Sequence, residues 1–170
     1  MKKMWARLQR LVKEEKGLTL IELLAVIVIL GIIAAIAVPA ITGITNNTKQ
    51  EAHKANAHQI VEAAKQMVAI NNSSLKFITD ITKEGDITVN SKGEIIKLED
   101  LESANYFPNG IKDPVNPSKN YDSDNSSVIV IKDTNGSFQY YVTLVADSNG
   151  TKYFTKVNEL KIDTTAPVKP

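Results

Sequence analysis

Few side chains in this 170-residue chain are placed to do chemistry, and the most unusual is a carboxylate beside a long apolar run. From Leu23 to Ile41 the sequence has no charged side chain and no side-chain hydrogen-bonding group, yet Glu22 stands directly before it. An ionisable group in such a setting is costly, so it reads as functional and needs a partner. The two histidines, His53 and His58, are five apart and fall on different faces of a helix. Metal-binding pairs on helices are usually three or four apart, so both read as solvated or partly packed. Asp122-Ser123-Asp124-Asn125-Ser126 places oxygen ligands on alternate residues, as calcium prefers. It lacks the Gly and distal Glu of an EF-hand, so it reads as a polar loop, with calcium at Asp122 and Asp124 as the minor alternative and no metal otherwise. There is no cysteine, no HExxH, no phosphate-binding glycine loop and no Ser-His-acid set with a histidine outside the helical stretch. No enzyme and no cofactor is expected.

The element that must position Glu22 is the apolar run itself. At about 1.5 Å per residue, Leu23 to Ile41 spans roughly 28 Å as a helix, close to the hydrocarbon thickness of a bilayer. Lipid offers the backbone no hydrogen-bond partner, which makes a helix the required form. Residues 1–17 carry six basic residues (Lys2, Lys3, Arg7, Arg10, Lys13 and Lys16) against Glu14 and Glu15. The positive-inside rule then holds the N-terminus in the cytoplasm and sends everything after the span outward. A cleaved secretory signal is a poor fit, because the run is too long for its apolar core. A plain signal anchor fits the length but explains neither Glu22 nor the Lys16-Gly17 junction. Within the run, Gly31 weakens a helix, and Pro39 removes a backbone donor and clashes one turn back.

Lys16-Gly17-Leu18-Thr19-Leu20-Ile21-Glu22-Leu23, followed by the apolar run, Gly31 and Pro39, resembles the N-terminus of a type IV prepilin or pseudopilin. The resemblance covers roughly residues 14–44. Family members usually carry Phe or Met where Leu18 stands, a mild departure. The resemblance implies that a membrane aspartyl prepilin peptidase cuts between Gly17 and Leu18 and methylates the new amine of Leu18. A glycine suits that cut, since without a Cβ its backbone can approach an active site closely. It also implies that Glu22 pairs with the Leu18 amine of a neighbouring subunit and so fixes register, because a buried charge left alone is strongly destabilising. An intrachain contact within one helical turn is the competing role for Glu22. The segment between Gly31 and Pro39 is implied to loosen inside the filament; an ordinary kinked membrane helix is the other reading.

Beyond the run, residues 45–70 read as an amphipathic helix with Ala57, Ile60, Ala63, Ala64, Met67 and Val68 on one face. No strong breaker precedes it, so one long helix from Leu18 to about Ile70 is expected. In the connector, residues 71–126, Ile87 to Val89 and Glu94 to Ile96 suggest a short hairpin, and Leu98, Leu101 and Ala104 a short helix ending near Asn105. Residues 127–132, 138–146 and 152–157 are β-rich and separated by two Gly-containing turns, which argues an antiparallel sheet over residues 127–157. Residues 158–170 are proline-rich and read as a loose tail. The expected fold is α+β and pilin-like, one long N-terminal helix packed on a C-terminal antiparallel sheet. The chain divides into a leader (1–17), a membrane or filament-core helix (18–44) and a head (45–170).

The net charge of +1 hides an asymmetry. Without the basic leader the chain is acidic, and no arginine follows Arg10, so no nucleic-acid surface is evident. An exported head without a disulfide must rely on its own core; by resemblance, the missing cysteines lean toward a Gram-positive source. The expected function is a structural subunit of a type IV pilus-like filament, polymerised through its hydrophobic helix. Its partners would be prepilin peptidase, other pilin subunits, a membrane platform with its assembly ATPase, and the bilayer. It would sit in the bacterial cytoplasmic membrane before assembly and on an extracellular filament after. The alternatives are a minor pilin or pseudopilin of a competence or type II-like secretion apparatus and, in another class, a single-span membrane-anchored binding domain.

Overall fold

A computed structural model of the chain describes residues 19–71, 75–77, 79–82, 84–87, 91–133, 135–147 and 149–168. Helix α1 covers Leu20–Asn71, and the chain forms two compact units that part between Thr45 and Asn46. In the first unit the large apolar side chains of α1, among them Leu24, Ile27, Leu30 and Ile33, are all exposed. Of the described helices only α1 is long and apolar enough to cross a membrane, and its most apolar stretch buries nothing against the rest of the chain. The isoleucines and valines there are modest helix formers in water, so this stretch relies on surroundings that leave the backbone no other partner.

The second unit is an antiparallel sheet packed with the C-terminal part of α1. Strands β1 (Thr79–Ile81), β2 (Ser91–Lys97), β3 (Ser127–Lys132), β4 (Phe138–Val145) and β5 (Lys152–Asn158) lie side by side in chain order, each antiparallel to the next. Ala57, Ile60, Val61, Ala64 and Val68 share one helix face and form a single core with Ile96, Val128, Val130, Val142, Leu144 and Phe154. Strand periodicity puts Ile129 and Tyr141 on the opposite face, where they meet Ile81 and Ile87 in a smaller cluster.

The three C-terminal strands fall where the alternation predicts, but the connector does not. The hairpin partner of β2 is Thr79–Ile81, paired Thr79↔Gly93 and Ile81↔Ser91, and not residues 87–89. Ile87 instead makes an isolated bridge to Glu84 and packs under the sheet, while Val89 lies outside the described residues. The chain after β1 thus crosses the back of the sheet to its far edge. There the Asp86 amide donates to the Lys156 carbonyl at 3.0 Å, and the Asp86 carboxylate accepts from the Asn158 amide and the Lys161 ammonium. Gly85 permits this approach, since a Cβ at that position would lie 2.2 Å from the Thr155 carbonyl oxygen. The opposing stretch of β5 is irregular: its pairing with β4 shifts twice, and Lys156 has a φ of 47°.

Helix α2 (Leu98–Ser103) buries Leu98 and Leu101 and ends in a Schellman turn. Asn105 takes the left-handed conformation (φ 66°), its amide bonds the Glu102 carbonyl, and the Tyr106 amide bonds that of Leu101. The segment read as a loose tail is instead anchored. A 3₁₀ turn, Glu159–Lys161, leads into a fully buried Ile162, and the Val168 amide donates to the Tyr153 carbonyl at 3.1 Å. Its prolines stop it from joining the sheet, yet one isoleucine and several backbone bonds hold it.

Candidate functional site

Gly17 and Leu18, the residues at the expected cut, lie outside the described residues. The description starts one position later, with the residue that organises the helix end. Thr19 is the N-cap of α1: its carbonyl accepts from the Leu23 amide at 3.0 Å, and its hydroxyl oxygen accepts from the Glu22 amide at 3.3 Å. The Glu22 carboxylate reaches back and accepts from the Thr19 amide at 2.8 Å and the Thr19 hydroxyl at 2.7 Å. Donors left open at the helix end and the carboxylate thus satisfy one another in a capping box, with the negative charge at the positive end of the helix dipole. In the single chain Glu22 therefore has an intrachain partner, and that partner is Thr19. Thr19-Leu20-Ile21-Glu22 carries the T-x-x-E spacing that announces such a cap.

Gly31 and Pro39 both lie inside α1, which continues through them. Nothing in the chain comes within 4 Å of where a Gly31 side chain would begin, so no intrachain packing demands glycine there. Pro39 has no amide proton, so the Ala35 carbonyl loses the helical bond it would otherwise accept. One turn on, the Thr42 hydroxyl donates to the Val38 carbonyl at 2.9 Å, and the Thr45 hydroxyl to the Ile41 carbonyl at 2.9 Å. Both bonds satisfy hydroxyls that would otherwise face an apolar environment bare.

In the loop at residues 122–126 the Asp122 carboxylate is engaged by its own backbone. It accepts from the amides of Asp124 and Asn125 at 3.1 Å each and from the Asn125 side-chain amide at 2.7 Å. Asp124 points away toward Lys97, at 3.7 Å. The alternation of acidic and polar residues thus builds an Asx turn. Among the described residues no group of three or more His, Asp or Glu side chains gathers to hold a metal ion.

The histidines differ more than their spacing suggests. His58 is half-exposed and pairs with Asp163 at 2.9 Å, whereas His53 is buried, at 2% exposure. His53 Nδ1 lies 2.7 Å from the Tyr121 hydroxyl, and its ring stacks on Tyr153 with centroids 3.8 Å apart. The Asn56 side-chain amide donates to the Tyr121 oxygen at 3.2 Å and to the Lys112 carbonyl at 3.3 Å. The Tyr153 hydroxyl donates to the buried Asp113 carboxylate at 2.9 Å, which also accepts from the Val115 amide. Burial pushes His53 below the usual imidazole range, partly offset by the Asp113 charge. It pushes the phenols of Tyr121 and Tyr153 up. A histidine on an otherwise apolar face gave no sequence sign of this depth, because its partners lie 60 to 100 residues away.

Residues 12–38 match the family model of the prokaryotic N-terminal methylation motif. Comparison with curated proteins and with solved structures returned no match. The motif supports a type IV pilin-like or pseudopilin-like precursor, processed by a prepilin peptidase and assembled with other pilins; it favours a structural subunit over an enzyme.

Proposed function

We infer that the chain is a structural subunit of a type IV pilus-like filament, made as a precursor, cut between Gly17 and Leu18, N-methylated on Leu18 and polymerised through its apolar helix. One observation carries this reading: the methylation motif at residues 12–38 runs into a helical stretch, Leu20 to Ile44, whose large apolar side chains find no cover among the described residues. Such a surface is stable in lipid or against copies of itself and nowhere in water. With the basic leader inside, the chain spans the cytoplasmic membrane once, and a membrane platform with its ATPase moves it into a surface filament.

The capping box suggests how Glu22 serves both stages. In the precursor its charge is neutralised locally by Thr19 and the helix end. After the cut, the Leu18 ammonium of a neighbouring subunit competes for the same carboxylate with a full positive charge, and charge-assisted hydrogen bonds are the stronger kind. Gly31 and Pro39 then give the segment between them freedom to loosen once neighbours cover it.

Mass spectrometry of the mature N-terminus tests the processing, with a methylated Leu18 expected; an intact leader would leave a membrane-anchored binding domain. Glu22→Ala should still be cleaved but should lower the yield of sheared surface filaments at least tenfold, and unchanged yield sinks the pairing. Scarcity of the unaltered chain in those filaments would point to a minor pilin or a pseudopilin of a competence or secretion apparatus.

A further inference from the structure

Three asparagines in the second unit stand directly before a glycine: Asn109-Gly110, Asn135-Gly136 and Asn149-Gly150. Such a step carries its own chemistry. A glycine has no Cβ to block the approach of its nitrogen to the carboxamide carbon of the residue before it. In the sequence the three steps are equivalent, and all three asparagines are exposed turn residues.

The folded chain separates them. One restraint is common to all: each glycine amide donates a turn bond, Gly110 to the Phe107 carbonyl at 3.0 Å, Gly136 to that of Asp133 at 2.9 Å and Gly150 to that of Ala146 at 3.0 Å. Ring closure must break that bond in every case, so it does not discriminate. Closure also needs a free carboxamide and a peptide plane that can rotate between the two residues. At Asn109 the plane is pinned, because the Asn120 side-chain amide donates to the Asn109 carbonyl at 3.2 Å. Asn120 crowds Gly110 as well, since a Cβ there would lie 2.2 Å from Asn120 Nδ2. At Asn149 the carboxamide itself is held, its Oδ1 accepting from the Thr151 amide at 3.0 Å. Asn135 has neither restraint among the described residues, and no atom beyond the adjoining residues comes within 4 Å of where a Gly136 side chain would begin.

We propose that Asn135 is a site of spontaneous deamidation in the folded chain. The Gly136 nitrogen gives up its proton and bonds to Asn135 Cγ, the Cγ–Nδ2 bond breaks, and the side-chain nitrogen leaves as ammonia. Water then adds to one of the two carbonyls of the resulting succinimide and opens it to aspartate or isoaspartate. Nothing is oxidised or reduced, and water is the sole co-reactant. Either product sets a new carboxylate two residues from Asp133, and isoaspartate also lengthens the main chain by one carbon in the turn joining β3 to β4. That turn therefore records the age of the chain. The site does not rest on the filament reading, since neither residue belongs to the methylation motif.

The test ages the full chain at pH 8 in detergent micelles and, in parallel, unfolded in guanidinium, with conversion at each asparagine followed by peptide mapping. Unfolded, the three steps should convert at rates within about twofold of one another, as their shared dipeptide dictates. Folded, Asn135 should stay within about threefold of its unfolded rate, while Asn109 and Asn149 should slow at least tenfold. Asn120→Ala should speed Asn109 at least threefold and leave Asn135 unchanged. Equal conversion at all three sites in the folded chain, or an Asn135 slowed as much as the other two, overturns the proposal. An Asn109 rate that ignores Asn120→Ala overturns the pinned peptide plane as the cause of the difference.

Discussion

Two stretches of α1 handle apolar surface in opposite ways. From Asn46 to Val68 the large apolar residues keep mainly to one face, and Ile60, Val61 and Val68 disappear beneath the sheet. Up to Thr45 they encircle the helix, and the chain supplies nothing to cover them. A one-sided stripe can be satisfied by a fold, whereas an all-round apolar surface can only be satisfied by a surrounding medium or by other helices. The pattern of hydrophobicity, more than its amount, thus marks where folding ends and insertion or assembly begins.

The sharpest way to break this contrast is to shave one large side chain from each stretch. Phe154→Ala removes a fully buried ring from the core facing α1 and should cost about 3–5 kcal/mol in denaturant unfolding of the second unit. Leu30→Ala should leave that transition within about 0.5 kcal/mol of the parent, because the side chain lies outside the core. Equal losses would mean that the two stretches are not energetically separate.

A smaller effect probes how the second stretch tolerates polarity. Tyr121→Phe removes the hydroxyl that hydrogen-bonds His53 Nδ1 and should cost about 1–3 kcal/mol in the same measurement. A neutral result would show that the buried network adds little beyond packing.

Smaller again is the dependence on pH. Burial holds His53 below its ordinary value of 6.5, so the unfolded chain takes up a proton before the folded one does. The associated stability is complete above that value and declines as pH falls through the lower, folded value. Melting temperature should therefore drop between pH 7.5 and pH 5, with a flatter slope in His53→Gln than in His58→Gln. Identical slopes in the two variants would remove His53 as the source.

Much of this was legible in the residues. The membrane-length run, the amphipathic continuation of α1 and the strands at 127–132, 138–145 and 152–158 follow from periodicity, which acts over a few residues. What escaped depended on distant partners. Thr79–Ile81 is too short and polar to announce a strand, and it pairs with β2 because Ile81 finds Ile129 and Tyr141 on the back of the sheet. Ile162 looked like one isoleucine in a proline-rich tail until the core received it. The Thr19 cap is local, and the T-x-x-E spacing of Thr19 and Glu22 is its sign in the sequence.

The irregular β5 carries a consequence for life at high density. At high local concentration any smooth, unpaired sheet margin invites a neighbouring copy to add a strand. Here one margin is three residues long and the other is broken by two register shifts and a left-handed lysine. Margins of this kind disfavour strand addition between neighbouring copies and leave any contact between heads to side chains.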